Sequence, residues 1–210
     1  MQTVVNPPSA PARFTLVEKK SEFLSATCHI SSLDEAVAFV EQVRAEHPKA
    51  RHVCFAAILG ASEAQFQERM SDDGEPSGTA GRPILQVLRQ SGTTDTVIAV
   101  TRYFGGILLG AGGLVRAYST AASEALKLAD MGSVIVAQHY TCTVEYAQHA
   151  LLTRVIGQCG GRIDTENFAE RVTVHCTLPL TKVDEFEHAV EQTFQASVTP
   201  ERGALGSLME

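Results

Sequence analysis

The stretch TRYFGGILLGAGGLVRAY, residues 101 to 118, sets five glycines (Gly105, Gly106, Gly110, Gly112 and Gly113) between a strand-like run and a helix-like run. Arg102, followed by Tyr103, stands on one side and Arg116 on the other. Free backbone N–H groups at the start of a helix, next to two guanidinium groups, attract an anion. The same glycines also suit a structural use, in which positive φ or a close approach of helix to strand excludes a side chain. Both common phosphate signatures fail. A P-loop needs Lys and Ser/Thr after Gly110, where Ala111 and Gly112 stand, and the dinucleotide fingerprint needs glycine where Val115 stands.

A second segment, SDDGEPSGTAGRP, begins with Ser71, Asp72, Asp73, Gly74, Glu75 and Pro76 and runs through Gly78, Thr79 and Gly81 to Arg82 and Pro83. Its three carboxylates are open to three chemistries. They can cap turns and a helix starting between Thr79 and Arg82, hold a hard cation such as Mg²⁺, or act as a general acid/base pair. With no nearby histidine and no twelve-residue EF-hand pattern, no metal site is assigned and no cofactor is expected. His52 and Cys54, two apart on a predicted strand, share a face, the minimum a thiolate and its base require. Nothing adjacent marks the thiol as activated, so no catalytic residue is assigned, and Arg51 and His52 read as surface contacts.

These residues sit in a chain of 210 with 44% hydrophobic residues, enough for one large or two small domains. The first residues, MQTVVNPPSAPARF, lack the charged and apolar regions of a signal peptide, and no apolar run spans a bilayer. A cytoplasmic protein without a membrane partner is expected. The five cysteines are scattered and form no C-x-x-C pair, so reduced thiols are expected. Net charge is −7, with 12 basic against 14 acidic residues over 1–134 and 5 against 10 over 135–210. Long-range attraction to nucleic acid is therefore excluded, and such binding requires a local basic patch.

The elements that must position the two segments follow from pattern. Residues 12–19 and 22–30 read as a hairpin, and SLDEAVAFVEQVRAEHP as a helix with Ser32 and Glu35 as its capping box. Leu33, Ala36, Val37, Val40 and Val43 share one face of that helix, and Pro48 ends it. RHVCFAAIL is a strand with QFQERM as its hairpin partner, and a helix runs through ILQVLRQ. TVIAVTRYF is apolar enough for a central strand, and residues 112–129 form a helix buried along Leu114, Tyr118, Ala121, Ala125 and Leu128. Beyond a boundary between Asp130 and Gln138, placed at 134/135, the order is β-α-β-β-α-β, ending in a strand near ASVTP. That is the split βαβ plan of a ferredoxin-like domain. It shows no nucleophile, carboxylate pair or glycine loop, and its acidity fits a protein contact.

SDDGEPSGTAGRPIL followed by VIAVTRYFGGILLGAGGLVRAY resembles the paired signature of the IMPACT (YigZ) family, and RHVCFAAI and KKSEFLSATCHI are similar to the same family's pattern. The resemblance covers essentially the whole chain. It implies an α+β protein with a ribosomal protein S5 domain 2-like N-terminal domain and an elongation-factor-G domain V-like, ferredoxin-like C-terminal domain. Eukaryotic relatives are implied regulators of translation in amino-acid starvation, which compete with the activator of a kinase that phosphorylates an initiation factor. That role depends on a further N-terminal domain without a counterpart in these 210 residues. The resemblance implies no catalytic residues.

Two expectations compete. In the first, a non-enzymatic protein linked to translation binds RNA or the ribosome, with Arg102, Arg116 and the N–H groups around Gly110 to Gly113 on phosphate, aided by Arg51 and Arg82. In the second, an enzyme takes a nucleotide or phosphorylated metabolite at the same anion site, with Asp72, Asp73 and Glu75 supplying Mg²⁺ or acid/base function. The oligomeric state is open.

Overall fold

The computed structural model describes residues 1–60 and 66–209, so Gln65 of the expected QFQERM strand lies outside the described residues. The chain divides into two compact units, Met1–Ser133 and Val134–Glu210, both mixing helices and antiparallel strands in α+β fashion.

In the first unit β1 is Gln2–Val4, β2 Ala12–Glu18, β3 Ser21–His29, α1 Leu33–Glu46, β4 His52–Leu59 and β5 Gln67–Ser71. There follow α2 (Gly81–Ser91), β6 (Thr93–Thr94), β7 (Thr96–Tyr103), α3 (Ala111–Lys127) and the start of β8 (Met131–Val144). Five strands form an antiparallel sheet in the order β2-β3-β7-β4-β5. The apolar run TVIAVTR is buried throughout because β7 lies in the middle and both faces of the sheet are covered. On one face Phe39, Val40 and Val43 of α1 pack against Val53, Phe55, Val97 and Ala99. On the other, Ile84 and Leu88 of α2 and Tyr118 and Ala121 of α3 meet Cys54, Ala56, Ile98 and Val100. Each full-sized aliphatic side chain buried in these layers contributes about 1.5–3 kcal/mol.

Local chemistry sets the element ends. Ser32 accepts a hydrogen bond from the Glu35 N–H at 3.1 Å, and the Glu35 carboxylate accepts one from the Ser31 N–H at 2.7 Å. The capping pair thus reaches one residue further back than a standard box. Phe39 joins the buried face of α1, while Val37 is only half-buried. Leu128, expected inside, is 61% exposed because α3 ends at Lys127, and Ala122 and Leu126 are buried instead.

Two short strands escaped the pattern. β1 pairs in parallel with β6 and antiparallel with residues 131–133 of β8, from Gln2 opposite Ser133 to Val4 opposite Met131. The Val5 N–H donates to the Asp130 carbonyl at 2.8 Å, and the Asn6 side chain bonds both the Asp130 N–H (2.8 Å) and its carboxylate (3.2 Å). Residues 2–6 are thereby fastened to residues 130–133.

The second unit continues β8 into α4 (Tyr146–Gln158), β9 (Arg162–Phe168), β10 (Val172–Pro179), a 3₁₀ turn at Leu180–Lys182, α5 (Val183–Phe194) and β11 (Glu201–Met209). The strand order β11-β8-β10-β9, antiparallel at every step, is that of a ferredoxin-like βαββαβ domain. Its core joins Leu152 and Ile156 of α4 and Phe186 and Val190 of α5 to Tyr140, Val174 and Leu178. The last strand lies at 201–209 rather than near ASVTP, whose Ala196 shares with Gln195 the left-handed turn that follows α5. No described helix is long and apolar enough to cross a membrane.

Candidate functional site

The two signature segments meet inside the first unit. Arg102, near the end of β7, donates from one terminal nitrogen to both Glu75 carboxylate oxygens, at 2.7 and 3.0 Å. The side chains are 8% and 3% exposed. The Tyr118 hydroxyl of α3 donates to the same carboxylate at 2.7 Å. Cys54 on β4 donates to the Tyr118 oxygen at 3.4 Å and to the Asp72 carbonyl at 3.0 Å. Alternation along β7 turns Arg102 to the face carrying Ile98 and Val100, where α2 and α3 pack, so the ion pair sits at the rim of an apolar layer. Phe23 meets Tyr118 edge-on at 5.1 Å, and the Arg102 guanidinium lies 5.5 Å from the ring centres of both Phe23 and Phe104. Arg102 is therefore not a free cation.

The other two carboxylates are also committed. Asp72 accepts backbone N–H bonds from Gly78 (2.8 Å), Ala80 (3.0 Å) and Gly81 (2.8 Å), capping α2 from outside the helix. Burial alone would raise the Asp72 carboxyl, but these three donors outweigh it and hold the group below the usual carboxylate range. Asp73 accepts from the Val53 N–H at 2.6 Å and pairs with Arg44 at 3.1 Å, while its own N–H goes to the Ser71 hydroxyl. Thr79 donates to the Pro76 carbonyl at 2.6 Å, and Gly74 and Gly78 take the left-handed turns between these bonds. The loop's acids thus face three different sets of partners. Among the described residues no group of three His, Cys, Asp or Glu side chains could hold a metal ion. Cys54 is fully buried, and burial, only partly offset by its bond to Tyr118, pushes its thiol up to about 12. A thiol so raised is no nucleophile at neutral pH.

Beside this network lies a cleft of about 570 Å³. The connection from α1 to β4 supplies Lys49 and Arg51, the start of β4 supplies His52, the end of β7 supplies Arg102 and Tyr103, and the next loop supplies Phe104 and Leu108. Among the described residues no acidic one lines it. His52 Nδ1 lies 2.7 Å from the Asp73 carbonyl, an acceptor, so Nδ1 is the donor in this bond and Nε2 takes no part in it. Tyr103 is steadied by His47, whose Nδ1 is 3.2 Å from its hydroxyl. Phe104 is 53% exposed and Leu108 82%. Among the described residues Lys49 and Arg51 enter no ion pair.

The expected anion site therefore divides. Arg51, His52, Arg102 and Tyr103 come together, whereas Arg116 and Gly113 line a separate cleft of about 250 Å³ with Lys19 and Glu18. Arg82 is exposed on α2 and lines neither. Gly105 presses on the hairpin turn, where an added Cβ would collide with the Lys20 backbone. Gly110 holds φ +72° as the residue before α3, Gly106 is also left-handed, and Gly112 lies in the open first turn. Lys49 and Phe104 were missed as site residues. Their only sequence signals are the basic run KARH and the exposed aromatic of RYFGG, which gain meaning when the two loops are adjacent.

Comparison with known proteins matches this architecture. The family model of the Impact N-terminal domain matches residues 19–126, and that of a domain of unknown function (DUF1949) matches residues 142–197. The chain is 42% identical over 179 residues to the IMPACT family member YigZ of Escherichia coli (strain K12), covering 85% of this chain and 88% of that protein. It is 37% identical over 164 residues to an IMPACT family member of Haemophilus influenzae, covering 78% and 79%. A crystal structure described as that of a hypothetical protein superposes with a TM-score of 0.72 at 38% identity, covering 95% of this chain and 96% of the other. With both of its parts matched in order and nearly its whole length aligned, the chain belongs to the IMPACT family.

Proposed function

We propose that this protein is a non-enzymatic RNA-binding protein linked to translation, and that the cleft beside the Glu75–Arg102 pair is where RNA phosphate is held. The observation that carries the reading is the convergence of the cations Lys49 and Arg51 on a cleft that no acidic residue lines among those described, in a chain of net charge −7. Phosphate binding by such a chain needs a local concentration of cations, and this cleft is one. The link to translation draws on the family resemblance and extends to the ribosome as the RNA-bearing partner. The enzymatic alternative loses support from the carboxylates, each of which is occupied by a structural bond.

Filter binding of RNA and co-sedimentation with ribosomes across a salt series test the proposal. The wild type should bind with an affinity that falls as salt rises, with a slope of about −0.7 per phosphate neutralised on a single strand. Lys49→Ala with Arg51→Ala should weaken binding at least about tenfold and flatten the slope by between one and two phosphates' worth. Arg116→Ala, in the other cleft, should have the smaller effect. Salt-insensitive or absent association refutes the reading.

A further inference from the structure

We infer that the cleft is shaped for one unpaired nucleotide of an RNA strand, whose base stacks on Phe104 while its phosphate is held by Lys49 and Arg51. This rests on the RNA-binding reading and names which form of RNA the site selects.

Phe104 is backed by a fixed cation. It is an aromatic ring 53% exposed on a glycine-flanked loop, at the mouth of a basic cleft. The Arg102 guanidinium stands 5.5 Å from its centre, at cation–π distance. Arg102 is in turn fixed by Glu75, and Glu75 by Tyr118. One buried carboxylate and a phenol thus immobilise the support of a ring that half faces solvent. A mobile exposed phenylalanine would lose side-chain entropy on stacking, whereas a ring already supported loses less.

The cleft's other groups fit the rest of a nucleotide. Its volume of about 570 Å³ lies within the range of small-ligand pockets, large enough for a single nucleotide. Lys49 and Arg51 precede β4 in the chain, giving phosphate oxygens two cations that enter no ion pair among the described residues. Arg102 itself, held by Glu75, forms the fixed wall of the cleft against which Phe104 rests.

These features select single strands. In a duplex the base faces are stacked on each other and only the backbone is presented, so Phe104 could make no contact that Lys49 and Arg51 do not already make. A splayed-out base offers its π-face, and one stacking contact strengthens binding by roughly five- to more than a hundredfold.

The test compares the full chain's affinity for a short single-stranded RNA, the matching duplex, and the same single strand carrying one 2-aminopurine, whose fluorescence reports stacking. Expected are tighter binding of the single strand and a change of 2-aminopurine fluorescence on binding. Phe104→Ala should lower single-strand affinity by about tenfold, leave duplex affinity unchanged and abolish the fluorescence change, and Phe104→Trp should restore all three. A thermal melt of each variant identifies any that is unfolded. Equal affinity for both RNAs with Phe104→Ala silent overturns the nucleotide site and leaves phosphate binding standing. Absence of binding to either RNA overturns both readings.

Discussion

Arg102 is the residue on which the site turns, and its role is the reverse of the one its charge suggests. Its pairing with Glu75 is buried, so the pair's net worth against apolar neighbours is small, but removing one member leaves an uncompensated charge. Arg102→Ala should therefore cost about 3–5 kcal/mol in the first unit's stability, while Glu75→Gln combined with Arg102→Met should cost distinctly less. Chemical denaturation of the three proteins checks this ordering, and equal losses would refute it. An RNA-binding defect in Arg102→Ala alone would consequently report lost structure as much as a lost phosphate contact. The sequence made both residues legible as chemistry-bearing. Their mutual neutralisation was not, because it joins a turn to a strand end 27 positions away. Asp72 was more transparent: Asp-Asp-Gly before a helix start signals turn and cap chemistry, and three backbone bonds to its carboxylate are that chemistry.

At the scale of elements, the glycine-rich loop between β7 and α3 combines several uses. Gly105 lets the chain pass against the Lys19–Lys20 turn, itself two left-handed residues joining β2 to β3, whereas Gly112 faces little but the tip of Arg116 at 3.8 Å. Gly105→Ala should cost about 2–3 kcal/mol by forcing two backbones apart. Gly112→Ala should be neutral or stabilise by up to about 1 kcal/mol, since alanine is the better helix former. Thermal melts of the two variants separate these outcomes, and similar behaviour would show that the glycines serve one common purpose. The helices were legible from caps and periodicity, and β7 from its unbroken apolar run. The two- and three-residue strands β6 and β1 were not, because so short a segment has no period and acquires its conformation only from its partners. The final strand was misplaced for a related reason: GALGS carries little alternation, and β8 rather than local pattern determines where β11 lies.

At the scale of the molecule, each core draws its residues from a single unit. Every member of the α4/α5 cluster lies between Tyr140 and Val198, and every member of the other two lies between Phe23 and Ala122. Residues 1–133 and 134–210 produced separately should each unfold cooperatively, and any RNA binding by the proposed cleft should persist in the first alone. Calorimetry of the two fragments tests this, and a fragment without a cooperative transition would contradict it. The ferredoxin-like order was readable because its helices and strands alternate with clear punctuation. The division itself falls within β8 rather than at a composition shift, so no linker marks it in the sequence. The fastening of residues 2–6 to residues 130–133 bears on time rather than stability. During synthesis the two halves of that fastening leave the ribosome more than 120 residues apart, an interval of roughly 6–25 s at 5–20 residues per second. Until then β1 has only β6 to pair with, and its second edge waits for the last residues of the first unit to emerge.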